Sequence, residues 1–163
     1  MTPEFKKKLD ALFNSHHLKM KRAIHPEEES ALKEQKYLME FYKMRKEVIR
    51  PVMDKILNYL ESKGYPVNIE ETYDVISIDN KHVDASIAIQ FMHIEDLSHP
   101  VYKNPFFSVT CDKRTQELVL NQSTLLPVKG KSGRIGPEER VMLQEINQQL
   151  IEDKIIEVLQ DIF

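Results

Sequence analysis

The chain has one cysteine, Cys111, so no intramolecular disulfide can staple it. None is needed, because a domain of 163 residues buries about 70% of its unfolded surface on folding. No stretch approaches the roughly 18 consecutive apolar residues of a membrane span. The N-terminus, Met1-Thr2-Pro3-Glu4-Phe5-Lys6-Lys7-Lys8, runs into an amphipathic segment without the apolar core of a signal peptide. The expected location is therefore cytoplasmic, with no membrane association. Internal repeats and low-complexity tracts are also lacking.

Glycine is scarce too, and three of the four glycines crowd into Lys129–Gly136. That loop contains Gly130-Lys131-Ser132, the end of a phosphate-binding P-loop signature. The signature requires a glycine five residues before Gly130, where this chain has Leu125, and Pro127 stiffens the backbone that would wrap a phosphate. Nucleotide hydrolysis of that type is excluded. What survives is an anion-holding candidate made of Lys129, Lys131 and Arg134 beside a helix start.

Metal and nucleophile signatures are missing in the same way. His16 and His17 are adjacent and point apart, and His25 lies across a linker. His82, His93 and His99 flank a central strand at no spacing that zinc sites use. Ser86, Ser108 and Ser132 have no nucleophile-elbow context. Cys111 sits in an alternating strand, where a buried inert thiol is expected. Asp79, Asp84, Glu95 and Asp96 read as turn acids. No catalytic residue, metal site or cofactor is expected.

What is present is strong patterning. Residues 3–14 place Phe5, Leu9, Leu12 and Phe13 on one helical face, and Asn14-Ser15-His16-His17 is expected to end that helix. Pro26 with Glu27, Glu28 and Glu29 starts a long helix, since proline suits the first turn and acids complement the helix dipole. Its apolar stripe runs through Leu38, Phe41, Met44, Val48 and Val52, then rotates to Met53, Ile56, Leu57 and Leu60. Gly64 offers its cap. Pro51 removes a backbone donor, which predicts a kink at residues 47–51 or two abutting helices.

Four strands are predicted next, at residues 67–78, 83–92, 106–111 and 117–124. The second alternates most cleanly, with Val83, Ala85, Ile87, Ile89 and Phe91 on one side. Asp79-Asn80-Lys81 and Asp112-Lys113-Arg114-Thr115 read as turns, and such short connections favour an antiparallel meander. Pro137-Glu138-Glu139 is expected to open a last helix reaching the C-terminus, with Leu143, Ile146, Leu150, Ile151, Ile155, Val158, Leu159 and Ile162 on a broad apolar face.

The expectation is one α+β domain over residues 1–163: a four-stranded antiparallel meander covered by a long kinked N-terminal helix and a long C-terminal helix. Residues 1–25 would be a loosely attached helix and linker.

Charge is polarised along the chain. Residues 1–65 carry +4 and residues 137–163 carry −5 within an overall net charge of −3. Lys36, Lys43, Lys46 and Arg50 fall within an arc of about 80° on the long helix at α-helical pitch. Together with Lys19, Lys21 and Arg22 they are a candidate surface for nucleic acid or an acidic protein, although Glu40 and Glu47 interleave as on any solvated face. The leading expectation is a non-enzymatic domain that binds a protein partner. The alternatives are a nucleic-acid or phosphoanion binder using the basic arc and the glycine loop, and a small-ligand protein or enzyme on the curved sheet. The breadth of the C-terminal apolar face also raises a homodimer through that helix.

Overall fold

A computed structural model describes residues 2–22, 26–92, 104–124, 136 and 138–163, with the backbone alone described for residues 16–22. The chain divides into two compact units, Met1–Lys36 and Tyr37–Phe163. The first unit contains helix α1 (Pro3–Arg22) and the start of helix α2 (Pro26–Met44). Helix α1 runs eight residues past the expected stop. Asn, Ser and His at positions 14–17 each cost under about 0.7 kcal/mol in a helix, and no glycine or proline intervenes. Phe5, Leu12 and Phe13 are exposed.

In the second unit α2 leads through a π-helical turn (Arg45–Ile49) into α3 (Arg50–Ser62). The expected interruption before Pro51 is this turn: the chain stays helical, with Met44 and Arg50 both at right-handed helical angles. The Arg50 N–H bonds to the Arg45 carbonyl, a five-residue step that marks the widened turn. Helix α3 stops as expected. Gly64 takes φ +88°, and the Tyr65 N–H closes onto the Leu60 carbonyl at 3.0 Å.

The fold is α+β in class with an antiparallel sheet, but among the described residues that sheet has five strands and not four. The strands are β1 (Val67–Thr72), β4 (Ser86–Phe91), β5 (Phe106–Asp112), β6 (Glu117–Ser123) and β7 (Glu139–Val141), paired in that order. Between β1 and β4 the chain makes a separate ribbon, β2 (Val75–Ile76) and β3 (His82–Val83). The segments expected as strands 67–78 and 83–92 are thus each cut in two, and Val83 belongs to the ribbon. Thr72 and Ser86 form the last register pair of the sheet.

Strand β7 corrects the expected helix start at Pro137. Val141 pairs with Leu118 and Glu139 with Leu120, completing an edge that the β6 backbone otherwise leaves open. Arg140 bridges to Asp112 at 3.0 Å, and Glu139 bridges to Lys154 at 2.5 Å. A tertiary partner overrides the local helix signal. Helix α4 (Gln148–Ile162) begins eleven residues later, where the Asn147 side chain accepts the Leu150 N–H at 2.8 Å.

Buried side chains of the helices, among them Phe41, Ile49, Met53, Ile151, Ile155 and Val158, share one core with Ile87, Ile89, Phe107, Val109 and Leu118. Burial alternates strictly along β4 and β5, so one sheet face meets the helices as the pattern predicted. Cys111 is in this core, and burial first, then nearby Asp74, push its thiol up to about 12. No helix among the described residues is long and apolar enough to cross a membrane.

Candidate functional site

Phe41, Arg45 and Ile49 lie at successive four-residue steps, so Arg45 occupies a position of the buried stripe. It is 4% exposed. Burying a guanidinium is costly without partners, and here the fold supplies two carbonyls, a carboxylate and aromatic rings. Nη1 donates to the Thr72 carbonyl at 2.7 Å and to the Ser86 carbonyl at 3.0 Å. Nε faces Glu71 at 3.8 Å. The guanidinium carbon lies 4.7 Å from the Tyr73 ring centre and 4.9 Å from that of Tyr42, a doubled cation–π contact. The two carbonyls belong to the last register pair of β1 and β4, so Arg45 clamps the point where the ribbon leaves the sheet.

The Thr72 hydroxyl donates to the Asp84 carbonyl at 2.8 Å. A hydroxyl has one proton to give, so Ser86 must be the donor in the 2.7 Å contact between their oxygens. Above this pair the Asp74 N–H donates to the Tyr42 hydroxyl at 2.9 Å. Asp74 Oδ1 receives His82 Nε2 at 2.9 Å and Lys113 Nζ at 3.1 Å. Lys113 comes from the β5–β6 turn, so three separate elements grip the root of the ribbon. Burial alone would raise the Asp74 carboxyl, but the hydrogen bonds from His82 and Lys113 outweigh it and hold the group below its ordinary range.

Beyond the root, the ribbon turns through Asp79 and Asn80, with Asn80 at φ +62° and its N–H on the Ser77 carbonyl. The turn falls where the sequence predicted one. Val75 and Val83 are register partners and lie side by side. Both are exposed, as is Ile76 at 71%, and Ile78 at the tip is fully in solvent. A polar root anchored by buried Arg45 therefore carries an apolar, exposed end.

Asp74, His82 and Asp84 bring ligand atoms within 4.8 Å of one another, a donor set for a borderline or hard cation. The arrangement is already used otherwise. The Lys113 ammonium sits on Asp74, and the second ring nitrogen of His82, Nδ1, faces Asp84 at 3.4 Å. The two carboxylates thus address different sides of one imidazole, and the Lys113–Asp74 ion pair completes the network.

The basic residues singled out from sequence are distributed as follows. Lys36 lies in the first unit and is exposed. In the second unit Lys43 and Lys46 are exposed. Arg50 is half-buried and paired with Asp54 at 2.9 Å and Glu71 at 3.4 Å, since the extra residue of the π turn shifts the helical phase after Ile49. Lys129, Lys131 and Arg134 lie outside the described residues, as do His93, His99, Glu95 and Asp96, and so do the side chains of His16, His17, Lys19, Lys21, Arg22 and His25.

Sequence reasoning missed Arg45 and Asp74. For Arg45 a signal existed, a cation at i+4 from Phe41 and i−4 from Ile49 inside the apolar stripe. Asp74 had none, because its partners arrive through tertiary pairing. Comparisons with profiles of known families, with curated proteins and with solved structures find no match.

Proposed function

We propose that this chain is a protein-binding domain that presents the ribbon of residues 73–85 to its partner. One observation carries the reading: Val75, Ile76, Ile78 and Val83 are held in solvent on a ribbon whose root is locked by buried Arg45 and by the contacts of Asp74 with His82 and Lys113. Four neighbouring exposed aliphatic side chains cost solubility, and single exposed apolar residues are ordinary while clusters mark contacts. The locked root adds to the case, because ordering a loop before binding removes that entropy cost from association. The partner chemistry that fits is an apolar protein cleft, with strand addition to the short β2 or β3 edge as its backbone component.

The test is site-specific photocrosslinking. A photoreactive residue at Ile78 is expected to capture a discrete partner in native extract, and the same residue at exposed Glu138 is not. Replacing Ile76 and Val83 by Ser should abolish that capture without changing the melting temperature. Equal capture from both positions, or capture indifferent to the Ser replacements, would count against the ribbon.

A further inference from the structure

A second surface lies between α3 and α4 and shares no residue with the ribbon. Helices α3 and α4 run side by side in the same direction: Pro51 and Asn147 line one cavity at their beginnings, and the Tyr65 and Phe163 rings meet just past their ends, 4.9 Å apart edge to face. Between them runs an open groove of about 330 Å³ floored by Val52, Leu60 and Ile155 and flanked by Ile56, Tyr59 and Ile156. Tyr59, Ile156, Tyr65 and Phe163 are each half or more exposed, or nearly so. An aromatic-rich apolar strip of this kind has the composition of an interface centre and not of a solvated helix face.

The charges on its two walls identify the occupant. Lys55 stands on the α3 wall and Glu152 on the α4 wall, both lining the groove. Glu152 takes only the Gln148 amide, and neither residue has an ion-pair partner among the described residues. We infer that the groove is the interface with a second copy of this chain, related by a twofold axis running along the groove. That axis sets α3 of each copy over α4 of the other. It therefore brings each Lys55 onto the opposite Glu152, twice, while Tyr59 and Ile156 fill the centre. Opposite charges at one level on the two walls are what such an axis requires, since it exchanges the walls. A foreign helix would have to supply both signs in register. The expectation of a homodimer through the C-terminal helix thus acquires a second helix and a defined symmetry.

Sedimentation equilibrium on the full chain tests this over a hundredfold range of protein concentration. The wild type should approach twice 19.2 kDa. Ile156→Glu should be monomeric with an unchanged circular dichroism spectrum, because the side chain is half exposed in the protomer. Lys55→Glu should weaken association about a hundredfold, because both symmetry-related charge pairs are lost at about tenfold each. Combining Lys55→Glu with Glu152→Lys should restore it. A wild type that stays monomeric throughout, a dimer indifferent to Ile156→Glu, or a double charge reversal that fails to recover the loss would each overturn the assignment.

Discussion

Arg45 is the residue on which the local structure turns. Its guanidinium is surrounded by two carbonyls, Glu71 and aromatic rings. Arg45→Ala leaves the Thr72 and Ser86 carbonyls without their donor and opens a cavity between Tyr42 and Tyr73. Breaking a buried, partnered charge of this kind costs about 3–5 kcal/mol, to be read from urea unfolding. A loss under about 1 kcal/mol would place Arg45 in solvent. Asp74 makes a pH-dependent contribution. Its folded carboxyl titrates below the unfolded range, so its stabilisation is complete above about pH 4 and disappears as acid protonates the folded form. In acid titrations followed by circular dichroism, Asp74→Asn should flatten the stability curve below that point. A variant with the wild-type slope would mean that the His82 and Lys113 contacts do not hold the ionised form. Cys111 is the opposite case. With its thiol pushed up to about 12, almost no thiolate forms at pH 8. A thiol reagent should label it only at the rate of unfolding, and immediate labelling of the native protein would contradict its burial.

At the scale of elements, the alternation of the central strand and the local chemistry of one cap and two turns were read correctly, whereas the end signals at Asn14 and Pro137 were not. The alternation of Ile87, Ile89 and Phe91 was legible because one face of β4 meets helices along its whole length. The turn at Asp112–Thr115 and the cap at Gly64 were legible because their chemistry is local. Pro137-Glu138-Glu139 looked like a helix start, yet β6 offered an open edge, and its ladder bonds with the Arg140 and Glu139 bridges outweighed a propensity of a few tenths of a kcal/mol per residue. The true start was written at Asn147, a favoured capping residue. Asn147→Ala should therefore cost about 0.5–2 kcal/mol in thermal unfolding. No measurable change would put the first turn of α4 elsewhere. Pro51 announced an irregularity without specifying its kind: a missing donor permits a kink, a break or a widened turn. Which one forms depends on Arg45, whose anchoring to β1 and β4 favours the turn that keeps it buried.

On the scale of the molecule, the antiparallel α+β class was visible in the order of patterned segments, whereas the ribbon was hidden. Val75, Ile76 and Val83 carry the same residue types as core strands, and only the register pair Thr72–Ser86 shows where the sheet ends and the ribbon begins. The root that makes the ribbon a candidate site was equally invisible, since its members come from positions 42, 45, 74, 82 and 113. The proposed function rests on that division: within the second unit helices and sheet share one core, Arg45 and the Asp74 ion pairs tie the ribbon to it, and the apolar end faces outward. Hydrogen exchange read by mass spectrometry tests this most directly. The bonded amides of Ser77 and Asn80 and those pairing β2 with β3 should be protected in the wild type. In Arg45→Ala they should lose that protection while β4 and β5 keep theirs. Exchange of residues 75–83 at the unprotected rate in the wild type would contradict the account, because a ribbon that is not held by its root presents nothing.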